Sequence, residues 1–596
     1  MPDKPKTGNN KTPDEYFKRA TEFYQQGRMA DALQEYQKVL DLQPDNIQAL
    51  FATSWLHHQN GNPQDAVTAY KRIIKLQPGN AEALNALGAI YHEYGGIPQA
   101  VNCYREAIRL KPDFIEAHNN LGGALQRLYL TDEAVKTYQR AVELDHRHPP
   151  SWELRIASLC RPVARSSEEF DQYRSNLMET LKDFTENGFS ATPEELVQTG
   201  AYPCYSLMYH GRNDRPIKEA YARVFKPSFP APDVNTAATR HNRIGLVVTK
   251  AHEELFVRSM GGVLRHMESS RFELTVICIR GREKYFRELL DCPHVRILAV
   301  PEHISDAVKL LQRAQFDILY YWEIATDPFN YFLPFFRIAP VQCTSWGIQV
   351  TSGIPTVDYY LSSNLVEPED AVTHYTEKLI CADTLLTYQY RSRLPEPAKR
   401  REDFGFRHDQ HLYLFPQQMG KFHPDFDAVA GEILRRDPQG ILVILQGMWP
   451  YTAEQLHARL AITIGDVIGR VTFLPRLDRD DLLCLIADSE ILLDPPHYGG
   501  VNSSYDGFSM NTPVLTYESP FHIGRYTAAC YRKMGLSDCI APSLDAYVEM
   551  AVDLGTNPQH RAAFSQRICE ASPRLFEDMS AVHEHKRIFD MMMSQL

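Results

Sequence analysis

Apolar runs with the length of buried strands recur between residues 243 and 541, and segments with helical periodicity separate them. This alternation predicts parallel sheets with helices on both faces. A break rich in proline and arginine at Tyr388–Arg401 divides the runs into two groups, so we expect two doubly wound units with a cleft between them. The predicted strands are Arg243–Thr249, Phe272–Ile279, Val295–Val300, Asp317–Trp322, Val341–Trp346 and Asp358–Ser362 in the first unit, and Leu412–Phe415, Ile441–Leu445, Val471–Leu474, Ile491–Leu493, Pro513–Thr516 and Asp538–Ala541 in the second.

The first 150 residues follow a different pattern and repeat every 34 residues. The residues in register are Gly27, Gly61 and Gly95; Ala32, Ala66, Ala100 and Ala134; Tyr36, Tyr70, Tyr104 and Tyr138; and Pro44, Pro78 and Pro112. This period and these residue types are typical of tetratricopeptide repeats (TPR), which stack into a solenoid with a concave groove. Three asparagines recur where their amides could bond an extended polypeptide: Asn85, Asn119 and Asn120. In the alternative interpretation the repeats only pack against the rest of the chain.

These patterns predict an N-terminal α-solenoid followed by two Rossmann-like α/β domains. The expected segments are a disordered N-terminus at 1–12, repeats at 13–150, a helical adaptor and linker at 151–240, and domains at 241–395 and 396–596. Within the adaptor we predict helices at Ser166–Asn187 and Glu194–His210 and a linker at Pro227–Asp233. One of the helices beyond Leu544 is expected to pack back across the cleft.

Composition and charge limit the classes of function. The net charge of −12 argues against general nucleic-acid binding, which needs a basic surface. The N-terminus has no apolar signal region, and no apolar run approaches the roughly 20 residues of a membrane helix. The eleven cysteines form no C-x-x-C pair, and the histidines show no metal-binding spacing. We therefore expect a cytoplasmic protein with reduced thiols and no metal.

The stretch Ile491–Thr516 has the pattern of a strand, a glycine turn, a helix and a second strand. Gly499 and Gly500 allow the backbone to approach a ligand closely. Polar residues at 502–504 predict a helix N-cap, where free N–H groups and the helix dipole favour an anion. Asp506 lies one turn later and could accept hydrogen bonds from sugar hydroxyls. A loop that only makes a turn is the alternative.

Two further patches follow predicted strands. His252, at a predicted helix start, could accept a proton or bond a substrate, or it could simply cap the helix. Gln418 could bond a base or a phosphate, and Lys421 could neutralise a leaving diphosphate, although a lone loop lysine is usually solvated. The D-x-D pairs Asp425–Asp427 and Asp478–Asp480 are interpreted as solvated surface. No dinucleotide-binding or P-loop glycine motif is present.

Taken together, these motifs resemble the O-GlcNAc transferase and SPINDLY family of protein O-glycosyltransferases, and a bacterial-type member in particular. The resemblance covers nearly the whole chain and implies a GT-B catalytic fold. The segments that carry it are Ala339–Gly353 with Asp358–Tyr359, which resemble A-P-x-Q…G-x-x-x-T-S-G…D-Y; Gln418 and Lys421, on the family's Q-x-x-K; and Leu493–Asp506, on its L-D…H-T-T-x-x-D loop.

The resemblance implies roles for individual residues. The family's lysine contacts the diphosphate and its loop acid holds the ribose, which implies these roles for Lys421 and Asp506. His252 falls on a histidine that lines the sugar and acceptor site, which would also include Thr351, Ser352 and Gly353. The expected nucleotide-sugar ligands are Gln418, Lys421, Gly500, Asn502, Ser503, Asp506 and Arg525. Two family histidines are replaced here, by Val501 and Leu482, so uridine and guanosine donors both stay open.

The resulting expectation is an inverting, metal-independent transferase without a cofactor, and His252 and Lys421 are its catalytic candidates. It would move a sugar, GlcNAc from UDP-GlcNAc in the first instance, to Ser or Thr of proteins held by the TPR groove. Transfer from UDP-glucose or GDP-fucose is the first alternative, and an inactive transferase domain that serves as a scaffold is the second. The expected partners are a nucleotide sugar and a polypeptide, with neither nucleic acid nor membrane, and the repeats could also form a homo-oligomer.

Overall fold

The computed structural model describes residues 12–145, 149–229, 242–248, 250, 252–268 and 270–596. The chain forms two compact units, residues 1–148 and residues 149–596. The predicted disorder at residues 1–11 and the linker residues from Pro230 onward lie outside the described residues. Among the helices that are described, none is long and apolar enough to cross a membrane.

The first unit consists of four helix pairs. Its helices are α1 Pro13–Gln25, α2 Met29–Leu42, α3 Ile47–Gln59, α4 Pro63–Leu76, α5 Ala81–Glu93, α6 Ile97–Leu110, α7 Ile115–Arg127 and α8 Thr131–Leu144. Gly27 joins the first pair with a φ of +74°, a left-handed conformation that glycine adopts at little cost. Tyr129 takes the same place in the fourth pair with a φ of +63°. The TPR prediction is therefore confirmed.

The second unit begins with the adaptor. Its helices are α9 Pro150–Ala157, α10 Ser167–Asn187, α11 Pro193–Thr199 and α12 Arg215–Phe225, with a 3₁₀ turn at Tyr205–His210. The predicted helix at Ser166–Asn187 is confirmed. A single helix over Glu194–His210 is wrong, because Gly200 ends α11 in the left-handed conformation.

The first α/β lobe is a seven-stranded parallel sheet in the order β3-β2-β1-β4-β5-β6-β7. Its strands are β1 Arg243–Val247, β2 Glu273–Ile279, β3 Arg296–Val300, β4 Ile318–Tyr321, β5 Val341–Ser345, β6 Tyr359–Ser363 and β7 Lys378–Ala382, and its helices are α13 Glu253–His266, α14 Glu283–Leu290, α15 Ile304–Ala314 and α16 Pro328–Phe332. The strand β7 was not predicted; it is a short strand at the edge of the sheet, and only two of its five side chains are buried.

The second lobe has a six-stranded parallel sheet in the order β10-β9-β8-β11-β12-β13. Its strands are β8 His411–Phe415, β9 Gly440–Leu445, β10 Val471–Leu474, β11 Ile491–Leu493, β12 Val514–Tyr517 and β13 Ile540–Ala541. Its helices are α17 Pro424–Arg436, α18 Tyr451–Thr463, α19 Arg479–Ala487, α20 Asn502–Ser509, α21 Tyr526–Met534, α22 Leu544–Thr556 and α23 Pro558–Ala571. Ligands of such sheets bind where the strand order reverses. The reversal lies between β1 and β4 in the first lobe and between β8 and β11 in the second.

The last helix, α24 Met579–Ser594, returns to the first lobe. Its buried side chains Ile588, Phe589 and Met592 join the core formed around β1 and α13. Arg271 of the first lobe also donates a hydrogen bond of 2.6 Å to Asp590. The chain therefore crosses between the lobes twice, which ties them together, and the expected crossing by a C-terminal helix is confirmed.

The first D-x-D pair, Asp425–Asp427, was interpreted as solvated surface, and for Asp427 this is wrong. Its carboxylate is 2% exposed and accepts two hydrogen bonds, of 2.9 and 2.8 Å, from the buried Arg459. The same guanidinium donates to the carbonyl of Ala164 in the adaptor and to that of Phe422. The first turn of α17 faces the adaptor, so this acid lies inside the molecule.

We expect Arg459→Ala to lower the free energy of unfolding by about 3–5 kcal/mol, because it leaves the carboxylate of Asp427 buried without a counter-ion. Denaturant titration followed by circular dichroism measures the change. The matched control is Arg435→Ala, which removes an exposed pair with Asp466 and should cost about 0–1 kcal/mol. Equal losses in the two variants would contradict this assignment.

Candidate active site

Lys421 lies at the carboxyl end of β8, beside the strand-order reversal of the second lobe. Its ammonium donates a 3.0 Å hydrogen bond to the side-chain oxygen of Gln417 and lies 4.0 Å from the centre of the Tyr498 ring. Burial lowers the pKa of Lys421 to about 8, and the charge of Asp494 opposes this shift. Lys421 is therefore a fixed, largely desolvated cation rather than a solvated loop charge.

Asp494, which follows β11, organises the surroundings of this lysine. Its 1% exposed carboxylate accepts hydrogen bonds from Gln417 Nε2 at 2.9 Å, Thr516 Oγ1 at 2.8 Å and the backbone N–H of Gly500 at 2.6 Å. Gln417 therefore links Asp494 to Lys421, and Asp494 fixes the glycine turn as well. The sequence indicated Asp494 only as the end of a strand, because nothing in its neighbourhood revealed these partners.

The helix α20 begins above this turn, but without the predicted caps. Asn502 is its first residue, and the N-cap position is held by Val501, whose apolar side chain caps no N–H group. The amide oxygen of Asn502 accepts a 3.1 Å hydrogen bond from Gln389. Ser503 stands in the first turn, so close to Gly500 that a Cβ there would lie 2.3 Å from its hydroxyl oxygen. Without a side-chain cap, the first-turn N–H groups of α20 are suited to an anion.

The first lobe places an imidazole and a carboxylate at its own reversal point. His252 follows β1, and its Nδ1 lies 2.6 Å from Oε2 of Glu323, which follows β4 and is 1% exposed. Burial lowers the pKa of His252, but the hydrogen bond and charge of Glu323 outweigh burial, so the pKa is raised. Because Nδ1 faces the carboxylate, Nε2 is the nitrogen available to a substrate. Sequence reasoning missed Glu323, which is 71 residues away.

Asp506 does not present the open carboxylate expected of a ribose ligand. It is 3% exposed, and its Oδ1 accepts hydrogen bonds from Arg258 at 2.7 Å, Arg479 at 2.8 Å and Ser392 at 3.2 Å. Arg258 belongs to α13 of the first lobe, so the pair joins the helix that follows His252 to the helix that starts above Lys421. Asp506 thus ties α20 of the second lobe to α13 of the first.

The other predicted site residues hold the protein together. The guanidinium of Arg525 donates to the carbonyls of Val366 and Ser519 and pairs with Glu518, so it braces the two lobes. Gln418 is exposed beside the site and accepts a 3.2 Å hydrogen bond from Tyr209 of the adaptor.

The segment Thr351–Gly353 is buried and does not line a sugar pocket. Thr351 and Ser352 are 1% and 2% exposed and donate to the carboxylate of Glu377. Gly353 has a φ of +72°, and a Cβ there would lie 2.6 Å from the backbone of Lys218 in α12. The hydroxyls satisfy a buried carboxylate while the glycine allows the adaptor to pack closely, which explains the T-S-G pattern without a ligand.

The asparagines of the repeats bond mainly to each other. Asn120 donates a 2.9 Å hydrogen bond to Asn85, which donates in turn to Glu116 at 2.9 Å. Asn119 is different, since its buried amide oxygen has no partner in the described part of the chain. The three asparagines therefore show no amide group set aside for an extended polypeptide.

Comparison with family models agrees with this architecture. Residues 396–583 match the model described as Glycosyl transferase family 41. Models of the tetratricopeptide repeat match residues 17–81, 69–102, 90–128 and 115–148. The chain therefore combines repeats that match tetratricopeptide models with a segment, residues 396–583, that is similar to family 41 glycosyltransferases.

Curated relatives and a solved structure point the same way. "Probable UDP-N-acetylglucosamine--peptide N-acetylglucosaminyltransferase SPINDLY" of Arabidopsis thaliana is 28% identical over 230 residues, which cover 37% of this chain and 24% of that protein. The protein named SEC from the same plant is 22% identical over 358 residues, or 58% of this chain and 36% of its own length. The chain thus spans between a quarter and about a third of these relatives. An O-GlcNAc transferase mutant from Thermobaculum terrenum shares the fold, with a TM-score of 0.66 and 21% identity over 92% of this chain and 97% of its own.

Proposed function

We propose that this chain is a glycosyltransferase that moves a sugar from a nucleotide sugar to a hydroxyl group of a protein. The observation that carries the proposal is the pairing of two chemically different reversal points. Lys421 and the start of α20 supply positive charge in one lobe, and His252 with Glu323 supplies a base in the other. The family 41 match over residues 396–583 supports the same class of reaction.

The cationic side is suited to a diphosphate. The ammonium of Lys421 is held in place by Gln417, and the first N–H groups of α20 follow the glycine turn fixed by Asp494. Groups that are already oriented need no rearrangement when negative charge develops on a leaving diphosphate, and they act most strongly where water is excluded. In this scheme no divalent cation is required to bridge the diphosphate.

The reaction is a single displacement. The acceptor oxygen forms a bond to the anomeric carbon, the bond from that carbon to the diphosphate breaks, and the nucleoside diphosphate leaves with the electron pair. Nε2 of His252 takes the hydroxyl proton, and Glu323 stabilises the imidazolium that forms. Attack from the face opposite the diphosphate inverts the anomeric configuration.

The donor we propose is UDP-GlcNAc, and the acceptors are Ser and Thr side chains of proteins. The donor is taken from the names of the two plant relatives. The repeats supply the surface proposed for an extended acceptor. UDP-glucose and GDP-fucose would place the same diphosphate against Lys421, so the choice of sugar and base needs a direct test.

The test incubates the full chain and a heat-treated protein lysate with tritiated UDP-GlcNAc, UDP-glucose or GDP-fucose. We expect protein-bound label from UDP-GlcNAc, in a linkage that base-catalysed β-elimination releases from Ser and Thr. The control is Lys421→Met, which should lose the label. Label from another donor would support the transferase activity but show that the donor is not UDP-GlcNAc. If no donor gives label and titration with UDP releases no heat, the enzyme hypothesis is wrong and a scaffold role is favoured.

A further inference from the structure

Three metal-ligating side chains meet behind the candidate active site. His423 follows Lys421 by two residues, Asp425 lies in the first turn of α17, and His497 lies in the loop between β11 and α20. The spacing of histidines in the sequence predicted no metal site, because His497 is 72 residues away from Asp425. The fold brings them together at the carboxyl ends of β8 and β11.

The distances within this cluster are those of ligands around one ion. Oδ2 of Asp425 lies 3.0 Å from Nε2 of His497 and 3.4 Å from Nδ1 of His423. With metal–ligand distances of about 2.1 Å, ligand atoms lie about 3.0 Å apart at a right angle and about 3.4 Å apart at the tetrahedral angle. Both distances therefore fit a single ion bound by all three groups.

The orientation of the rings exposes the correct nitrogens. Nδ1 of His423 faces the cluster and accepts a hydrogen bond of 3.2 Å from the backbone N–H of Asp425, which places the ring proton on Nε2; a bound ion would replace this hydrogen bond at Nδ1. The two imidazole rings are 4.0 Å apart between centroids. His423 is 1% exposed, whereas the side chain of Asp425 is 43% exposed. One side of the cluster is thus fixed in the protein and the other is open to entry from solvent.

We propose that His423, Asp425 and His497 bind a divalent transition-metal ion of the zinc type. Two imidazole nitrogens and one carboxylate oxygen form a donor set that Zn²⁺ accepts, whereas Mg²⁺ and Ca²⁺ prefer oxygen ligands alone. The second carboxylate oxygen of Asp425 accepts a hydrogen bond from Ser167 of α10, and such an outer contact orients a metal-binding carboxylate.

The ion would act as a brace for the cationic side of the active site. His423 belongs to the turn that carries Lys421, and His497 precedes Tyr498, over whose ring the Lys421 ammonium lies. Through Ser167 the same cluster reaches the adaptor. A bound ion would therefore fix the lysine turn, the loop before α20 and the adaptor relative to one another. This inference concerns a structural site and does not depend on the proposed reaction.

The experiment is a calorimetric titration of the full chain with ZnCl₂ after removal of metals with a chelator. Because the chain has 22 histidines, the readout is the difference between variants. We expect His497→Ala to bind one Zn²⁺ fewer per chain. Its affinity for Zn²⁺ at this site should fall by more than about 100-fold, since loss of an outer contact alone costs about 10–100-fold in metal affinity. The matched control is His560→Ala, which removes an exposed histidine paired with Asp553 alone and should keep the site.

A graded variant and a spectrum complete the test. Ser167→Ala leaves the three ligands intact and should weaken Zn²⁺ by about 10–100-fold. Co²⁺ bound to the wild type should give a visible absorption band that His497→Ala lacks, and Zn²⁺ should raise the melting temperature of the wild type only. Circular dichroism confirms that each variant is folded. Equal Zn²⁺ binding by the wild type and a folded His497→Ala variant would overturn the proposal.

Discussion

Lys421→Met should lower kcat for sugar transfer by about 10²–10³, equivalent to about 2.7–4 kcal/mol of transition-state stabilisation. Methionine keeps an unbranched chain against the Tyr498 ring but removes the charge that faces the leaving diphosphate. Charge on the diphosphate grows as the bond to the sugar breaks, so the lysine contributes more to the transition state than to the bound donor. Steady-state kinetics with the donor found by labelling measures the effect.

The pH profile gives an independent readout of the same residue. Because the pKa of Lys421 is about 8, the cation is present below this pH and is lost above it. We therefore expect kcat/KM to fall as the pH rises through about 8, and Lys421→Met to remove this decline. The control is Lys399→Met, which removes an exposed partner of Asp481 and should change neither quantity. If Lys421→Met leaves kcat unchanged, the proposed role of Lys421 in stabilising the leaving diphosphate is wrong.

The fold could be predicted because its signals are local. Repeats of 34 residues and buried parallel strands each leave a periodic pattern that needs no knowledge of distant contacts. The missed strand β7 shows the limit, since it is a short strand at the edge of the sheet and only two of its five side chains are buried. The helix break at Gly200 was missed although Gly200 and Pro203 both disfavour continuation of a helix.

The site was predictable only in part, because the roles of its residues depend on non-local partners. Lys421 and His252 were found from their positions after predicted strands. The two carboxylates that support them were not found, because Asp494 lies 77 residues from Gln417 and Glu323 lies 71 residues from His252. Asp506 shows another limit: its motif was recognised, but nothing in the sequence revealed that two arginines from separate helices pair with its carboxylate.

The two catalytic candidates together restrict the active range of pH. His252 accepts a proton only when neutral, so activity requires a pH above its raised pKa. Lys421 acts only when charged, so activity also requires a pH below about 8. The same property, a buried position beside one carboxylate, has opposite outcomes at the two sites. The carboxylate of Glu323 bonds the imidazole directly, whereas Asp494 reaches the ammonium only through Gln417, so burial prevails there.

His252→Ala should lower kcat by about 10²–10⁴, the usual contribution of a general base, and should remove the decline of activity at low pH. Glu323→Gln should keep the imidazole in place but lose its charged partner. That loss costs about 1.5–3 kcal/mol, or roughly 10- to 150-fold in kcat. Because Glu323 is what raises the pKa of His252, the low-pH decline of Glu323→Gln should move to lower pH.

A control histidine separates these effects from a general loss of charge in the first lobe. His303 is exposed on the same lobe, and His303→Ala should leave kcat and the pH profile unchanged. Donor binding measured with UDP should be the same in all three variants, because the proposed scheme places neither His252 nor Glu323 at the diphosphate. If His252→Ala retains both kcat and the low-pH decline, the acceptor proton leaves by another route, such as an oxygen of the donor phosphate, and His252 only lines the site.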